Sequence, residues 1–240
     1  MSAYSISAKV YDLFLDEFDY DRYASYIKKI IETHGLLGSV VDAGCGTGRI
    51  LKLLHECKNE LIGVDISAEM LSIAQRKNTG ALLVQQDISK LKLAHPASLI
   101  YSSLDVINHL ESIDEVGQFF QSAADSLEKD GMLVFDFNLP HKHKVVLADN
   151  CFTYEKYKYY LIWNSYYHED MVSFSLDLFI QQPDGTYIRE SEEFSEYTYS
   201  LENISNLLKS NFKLLDLFDG DSFLPLIETS NRALVTAIKR

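Results

Sequence analysis

Ten residues, Val40-Val41-Asp42-Ala43-Gly44-Cys45-Gly46-Thr47-Gly48-Arg49, restrict the fold of this 240-residue chain more than any other stretch. Two β-branched residues run into an acid, glycines follow at 44, 46 and 48, and an amphipathic run begins at Ile50. That order predicts a strand, a tight turn and a helix. Glycine admits positive φ and lets a ligand lie against bare N–H groups, and a helix behind such a turn points its positive end at the ligand. The dinucleotide pattern Gly-x-Gly-x-x-Gly would place its third glycine where Arg49 stands, whereas here the glycine comes one residue earlier. The loop keeps the form of a nucleotide site and departs from the nicotinamide pattern.

Hydrophobic patterning extends this unit into alternating strands and helices. Strands are predicted over 40–43, 60–65, 81–85, 97–102 and 132–138, with amphipathic helices between them. Ser67 caps one helix, and Ser112-Ile113-Asp114-Glu115 opens another as a capping box. Such alternation builds an α/β fold on a parallel sheet, and these sheets bind ligands at the carboxyl ends of their strands. Acids stand there. Asp65 ends the second strand, 21 residues after Gly44, where a carboxylate can accept both hydroxyls of a ribose. Asp87 ends the third, where it can accept from an adenine amino group while Ile88 offers its backbone N–H; a turn cap is the competing role. Met70 can press on an adenine ring or fill a core gap, with equal weight. Beyond the fourth strand, the loop from Ser103 to Leu110 faces the same edge, and its Asp105 and His109 are the candidate general bases. For His109, a helix-capping or solvent-facing role competes.

From Phe152 the texture changes to strand after strand. Runs 152–167, 171–181 and 186–199 are separated by His168-Glu169-Asp170 and Pro183-Asp184-Gly185, which predicts an antiparallel meander. Its aromatic residues are expected mostly to pack, with a few lining a pocket. Glu190, Glu192, Glu193 and Glu196 read as a solvated face, and His141-Lys142-His143-Lys144 as a solvated basic loop. Two final strands, 212–218 and 233–238, are joined by a connection too short for a helical crossover and so should run antiparallel.

Charge and cysteine content limit the partners. With 35 acidic against 22 basic residues the net charge is -13, and no basic cluster offsets it, so nucleic acid is not an expected partner. No apolar stretch approaches the roughly 20 residues that span a bilayer, and the first residues lack the order of a signal peptide. A cytoplasmic protein without membrane contact is the expectation. Cys45, Cys57 and Cys151 suggest neither a disulfide framework nor a metal site. The oligomeric state, monomer or homodimer, is not legible.

The run Val41-Asp42-Ala43-Gly44-Cys45-Gly46-Thr47-Gly48, followed by Asp65 and Asp87 at the next two strand ends, resembles class I S-adenosylmethionine-dependent methyltransferases. It is similar in particular to the small-molecule branch that includes uncharacterised bacterial methyltransferases and amino-sugar N-methyltransferases, which share an N-terminal Tyr-Asp element, here Tyr11-Asp12, and an antiparallel insertion after strand five. The resemblance implies a Rossmann-like seven-stranded sheet in order 3-2-1-4-5-7-6 with the last strand antiparallel. It implies a methyltransferase domain over 1–150 and 200–240 with an N-terminal helical lid, 1–38, and a substrate-covering insertion over 151–199. S-adenosylmethionine is the implied cofactor. By position, Gly44, Cys45 and Gly46 would flank its methionine moiety, Asp65 its ribose, Asp87 and Ile88 its adenine, with Ile66 and Met70 against the ring faces. Ser103 and Leu104 would border the sulfonium, and Tyr11 would close the site and join Asp105 and His109 in the chemistry; Tyr4 and Tyr23 are weaker candidates for that closure. The implied activity is methyl transfer to a nitrogen or oxygen nucleophile of a small molecule. A non-catalytic S-adenosylmethionine sensor or partner module, and a tRNA or protein methyltransferase, are the alternatives.

Overall fold

The computed structural model describes residues 11–14 and 18–240, with the side chains of Tyr11 and Phe14 outside that description. A short helix α1 (Tyr11–Phe14) precedes α2 (Tyr20–His34). Strands and helices then alternate as β1 (Val40–Ala43), α3 (Arg49–Leu53), β2 (Leu61–Asp65), α4 (Ala68–Arg76), β3 (Leu82–Gln85), β4 (Ala97–Ser102), α5 (Ile113–Ser126) and β5 (Leu127–Asn138). An insertion of β6 (Asn150–Lys156), β7 (Tyr159–His168), β8 (Met171–Gln181) and β9 (Tyr187–Tyr197) follows, and α6 (Leu201–Leu208), β10 (Phe212–Asp219) and β11 (Arg232–Lys239) complete the chain.

The main sheet has the order β10-β11-β5-β4-β1-β2-β3. β1 to β5 pair in parallel, and β11 runs antiparallel to both β5 and β10. This is the expected seven-stranded order, with the reversal that the short connection before β11 demanded. Alternation along the strands feeds two cores. Val41, Leu133, Phe135 and Phe137 join Phe119 and Phe120 of α5 on one face, while Val40, Met132 and Val134 meet Tyr23, Ile27 and Ile31 of α2 on the other.

Helix ends follow the side chains that cap them. Asp19 accepts from the Arg22 N–H at 2.9 Å to start α2, and Gly35 stops it in the left-handed conformation. Ser67 and Ser112 cap α4 and α5 through Met70 N–H and Glu115 N–H, both at 3.2 Å. Within the expected N-terminal lid, α2 is a layer of the core, its inward stripe fully covered by the sheet. α1 is the part that approaches the ligand edge, as its contacts below show.

The insertion forms a separate four-stranded antiparallel sheet with its own small core of Leu161, Val172, Phe174 and Leu178. Sequence patterning gives three runs here, and the structure has four strands because the first run folds back at Tyr157-Lys158. Neither Gly nor Pro marks that turn; Tyr157 itself takes a φ of 57°. Among the described residues, no helix is long and apolar enough to cross a membrane.

Candidate active site

A cavity of about 200 Å³ opens at the carboxyl ends of β1, β2, β3 and β4. Gly44, Cys45, Gly46, Asp65, Ile66 and Met70 line it, as do Asp87, Ile88, Ser103, Leu104 and His109. Gly44 has a φ of 85°, and a Cβ there would stand 2.5 Å from a Val106 methyl, so the loop closes on the β4 side only without a side chain. At Gly46, φ 49°, a Cβ would meet nothing within 4 Å: this face of the loop is bare. The helix behind the loop is short, and its first residue, Arg49, lines the cavity.

Three acids shape the field. Asp65 accepts from Gly46 N–H at 2.7 Å through Oδ2 and from Ser67 N–H at 2.8 Å through Oδ1, which ties the tip of β2 to the glycine loop. Each carboxylate oxygen keeps a further lone pair for a ligand. Burial raises the Asp65 pKa, opposed by those two N–H groups. Asp87 takes the capping role weighed for it, accepting Ser89 N–H and Oγ–H at 2.9 and 2.8 Å, and it lines the cavity as well. Its carboxyl is held below the usual range: burial raises it, and the Ser89 hydrogen bonds and Lys90 outweigh that. Asp42 is buried and accepts from Tyr101 Oη at 2.9 Å through Oδ2, and Oδ1 has no hydrogen-bond partner among the described residues. Burial pushes its pKa up to about 8.

The loop after β4 is strained and braced. Leu104 and Asp105 adopt φ of 62° and 58°, conformations that cost on the order of 1–3 kcal/mol each for such residues. Their N–H groups point at the buried carboxylate of Asp136 on β5, at 2.9 and 2.8 Å, and Arg232 at the start of β11 donates to the same carboxylate at 2.8 Å. The structure places Asp105 outside the cavity lining and among charged partners, not open to the cavity as the expected base would be. Its side chain turns away from the cavity lining, accepts from Asn138 Nδ2 at 2.9 Å and lies 3.7 Å from Arg232. Burial would raise its pKa, but Arg232, then Lys142 and His109, pull it down to about 2. A carboxylate so acidic holds no proton near neutrality. His109, at the end of the 3-10 turn Val106–His109, does line the cavity, and its ring lies 5.9 Å from that of Phe194 on β9.

Two surface readings from the sequence are corrected at the same edge. His141 to Lys144 is not a solvated basic loop: residues Lys142–Leu147 form a π-helical turn that buries His143 between Thr198 Oγ1, 2.7 Å from Nδ1, and Glu196, 3.1 Å from Nε2. Glu196 also accepts from Asn138 Nδ2 at 2.8 Å, and Glu192 is buried too, so the four glutamates are not one solvated face. Asn108 locks the same region, donating to the carbonyls of Asn138 and Tyr197 at 3.2 and 2.9 Å.

The N-terminal segment reaches the site through Asp12, which accepts from Thr47 Oγ1 at 2.7 Å and pairs with Lys77, while Leu13 packs against the insertion. Tyr11 sits on this helix with its side chain outside the described residues, and Tyr4 lies outside them altogether. Tyr23 is fully buried under the sheet and is no lid residue. Among the described residues, Tyr20 is the tyrosine that lines the cavity, with the Arg49 guanidinium 3.9 Å from its ring centroid. Patterning singled out neither. The bare glycine loop, with Asp65 and Asp87 at the neighbouring strand ends of the same cavity, fits a nucleoside cofactor such as S-adenosylmethionine. Among the described residues, no group of three or more His, Cys, Asp or Glu is placed to hold a metal.

Comparison with known proteins gives the same answer. A methyltransferase domain model matches residues 40–131. A putative methyltransferase of Geobacillus sp. (strain WCH70) is 29% identical, the match covering 98% of this chain and 99% of that one. A dTDP-3-amino-3,6-dideoxy-alpha-D-glucopyranose N,N-dimethyltransferase of Streptomyces fradiae is 30% identical over 49% of this chain and 47% of its own. The crystal structure of an S-adenosylmethionine-dependent methyltransferase from Clostridium acetobutylicum superposes with a TM-score of 0.88 at 28% identity, covering 98% of each chain.

Proposed function

The chain is an S-adenosylmethionine-dependent methyltransferase, and we propose that it passes the methyl group to a nitrogen or oxygen nucleophile of a small molecule held between the β4–α5 loop and the insertion. The observation that carries this reading is His109, which lines the cavity shared by the strand-end acids while its ring meets Phe194 of the insertion. In this reading His109 is the proton acceptor between the cofactor side and the acceptor side.

When bound, S-adenosylmethionine supplies a methyl group already activated by a positive sulfur, so no nucleophile of the protein is required. The chain's own residues bind and align. In this reading Asp65 holds the ribose, Asp87 and Ile88 the adenine edge, Ile66 and Met70 its faces, and the backbone of Gly44, Cys45 and Gly46 the methionine moiety. Ser103 and Leu104 border the sulfur, and Tyr11, carried on a helix that Asp12 ties to Thr47, closes the site. Alignment with exclusion of water can lower a barrier by roughly 7–11 kcal/mol. His109 then takes the acceptor's proton on a ring nitrogen, a step a hydroxyl acceptor needs more than a neutral amine does. Asp105 acts through the loop it shapes, as a positioning residue. The amino-sugar activity of the Streptomyces fradiae relative favours an amine acceptor.

The test is transfer of an isotopic methyl from the cofactor to a panel of nucleotide-linked amino sugars, simple amines, hydroxylated metabolites, tRNA and protein. Label in a small molecule is expected; label confined to tRNA or protein would overturn the reading. His109→Asn should lower kcat by about 10²–10⁴-fold on a hydroxyl acceptor, and less on an amine, with cofactor affinity unchanged.

A further inference from the structure

We propose that Lys77 is a positioning residue for the methyl transfer: its ammonium latches α1 to the glycine loop through Asp12 and Thr47, and that latch sets how fast the spent cofactor leaves. This rests on the cofactor being S-adenosylmethionine and on α1 closing its site. Lys77 itself does not line the cavity.

Lys77 stands at the C-cap of α4, where a cation meets the negative end of a helix. That ordinary use would leave its amine in solvent. Here, however, the end of α4 is pressed against the glycine loop: a Cβ on Gly48 would stand 2.9 Å from Thr79 Cγ2 and 3.0 Å from Ala74 Cβ, so only a bare residue lets the two segments come this close. The lysine amine then donates to Thr47 Oγ1 at 2.7 Å and pairs with Asp12 Oδ2. Thr47, buried in the loop, donates its own proton to Asp12 Oδ1 at 2.7 Å. Three side chains, one each from α1, the glycine loop and the end of α4, close a ring of charge-assisted hydrogen bonds. With Lys77 and Asp12 side chains 21% and 34% exposed, salt screens the pair only in part.

Charge favours the closed latch. Burial pulls the Lys77 pKa down, Asp12 opposes it, and Arg49 and Lys52 add to the fall. If α1 lifts, Lys77 keeps its cationic neighbours and loses its acid. The next residue of α1 is held from the opposite side, since Leu13 packs into the core of the insertion and Lys156 of β6 donates to its carbonyl at 2.9 Å. Asp12 and Leu13 therefore join the glycine loop to the insertion, and Tyr11 is carried on the same turn. Lys77 acts on the reaction through that turn.

Surface plasmon resonance on the immobilised full chain measures the dissociation rate of S-adenosylhomocysteine. Lys77→Met should raise that rate about 10-fold and Asp12→Asn should match it, while the double variant should be no faster than either alone, because the two residues form one contact. Lys77→Arg keeps the cation and should stay within about 3-fold of wild type. Lys156→Met loosens the same turn from the insertion side and should raise the rate less, about 2–5-fold. A purely structural lysine would lower Tm and leave the dissociation rate of the folded protein where it was. That result, or effects of Lys77→Met and Asp12→Asn that multiply, would overturn the assignment. Asp12 lies outside both cores of the main sheet, so an unmoved rate in Asp12→Asn overturns it even if Lys77→Met fails to fold. A wild-type chain that binds no S-adenosylhomocysteine would instead overturn the cofactor reading beneath it.

Discussion

The wall of the cavity formed by β1, β2 and β3 is made from near neighbours in the chain, whereas the wall formed by the β4–α5 loop is held by distant ones. Asp65 meets Gly46 across 19 residues and Ser67 across two, and Asp87 meets Ser89 across two. On the other wall Leu104 meets Asp136 across 32 residues, Asn108 meets Tyr197 across 89, and Asp136 meets Arg232 across 96. The first wall presents backbone N–H groups and strand-end acids, a surface that recognises one ligand. The second sets charged and polar groups in a buried lattice, Asp105, Asp136, Arg232, Asn138 and Glu196, that ties the loop to β11 and to the insertion. A protein built this way can retain its cofactor site while the acceptor side is rebuilt.

The most disruptive way to break that division is Arg232→Met. It removes the cation from between Asp136 and Asp105 and leaves buried charge uncompensated, which should cost about 3–5 kcal/mol of stability in denaturant unfolding. If the two walls are independent, affinity of the surviving folded fraction for S-adenosylhomocysteine should drop far less than turnover does. Asp65→Ala attacks the opposite wall. It frees Gly46 N–H and Ser67 N–H and removes the proposed ribose acceptor, and at about 1.5–3 kcal/mol for a charged hydrogen bond the cofactor should bind roughly 10–100-fold more weakly by calorimetry. An unchanged affinity would remove the ribose assignment.

A subtler way to probe the first wall is the pH dependence carried by Asp42. Burial raises its pKa from 3.8 to about 8, so between those values the folded chain holds a proton that the unfolded chain has lost. Its contribution to stability is thus complete below 3.8 and lost as pH rises through 8. Asp42→Asn keeps an acceptor for Tyr101 and has no proton to lose. Its Tm should therefore fall less than that of the wild type between pH 5 and pH 8. Parallel Tm profiles would show that Asp42 does not supply the coupling.

Legibility divides along the same line. Asp65 and Asp87 could be read because a residue at the end of a predicted strand has its position fixed by the strand itself; alternation gave the parallel sheet and one short connection its reversed last pair, while the order of the strands came from the resemblance. Asp136 and Arg232 were silent: nothing local to either shows that a carboxylate inside β5 and a guanidinium at the start of β11 will meet. Asp105 was misread for that reason, since its loop position was visible and its cation was not. His143 looked solvated because its sequence neighbours are basic, yet Glu196 and Thr198, more than 50 residues on, give it a buried berth. The fold at Tyr157-Lys158 escaped notice because a tyrosine in the left-handed region carries none of the usual turn composition.

The reversal of β11 bears on the order in which the molecule can be completed during synthesis. Because that strand runs against its neighbours, its first residue, Arg232, arrives at the edge where β4 and β5 finish, opposite Asn138. β1 to β5 can pair as soon as they leave the ribosome, and with them the glycine loop and its acids. Leu104 and Asp105 must wait for a residue made 96 positions after Asp136 before their support carries its counter-charge. A nascent chain would then pass through a stage in which the glycine loop and its acids are in place while Ser103 and Leu104, which line the same cavity, sit on a loop whose support lacks its counter-charge.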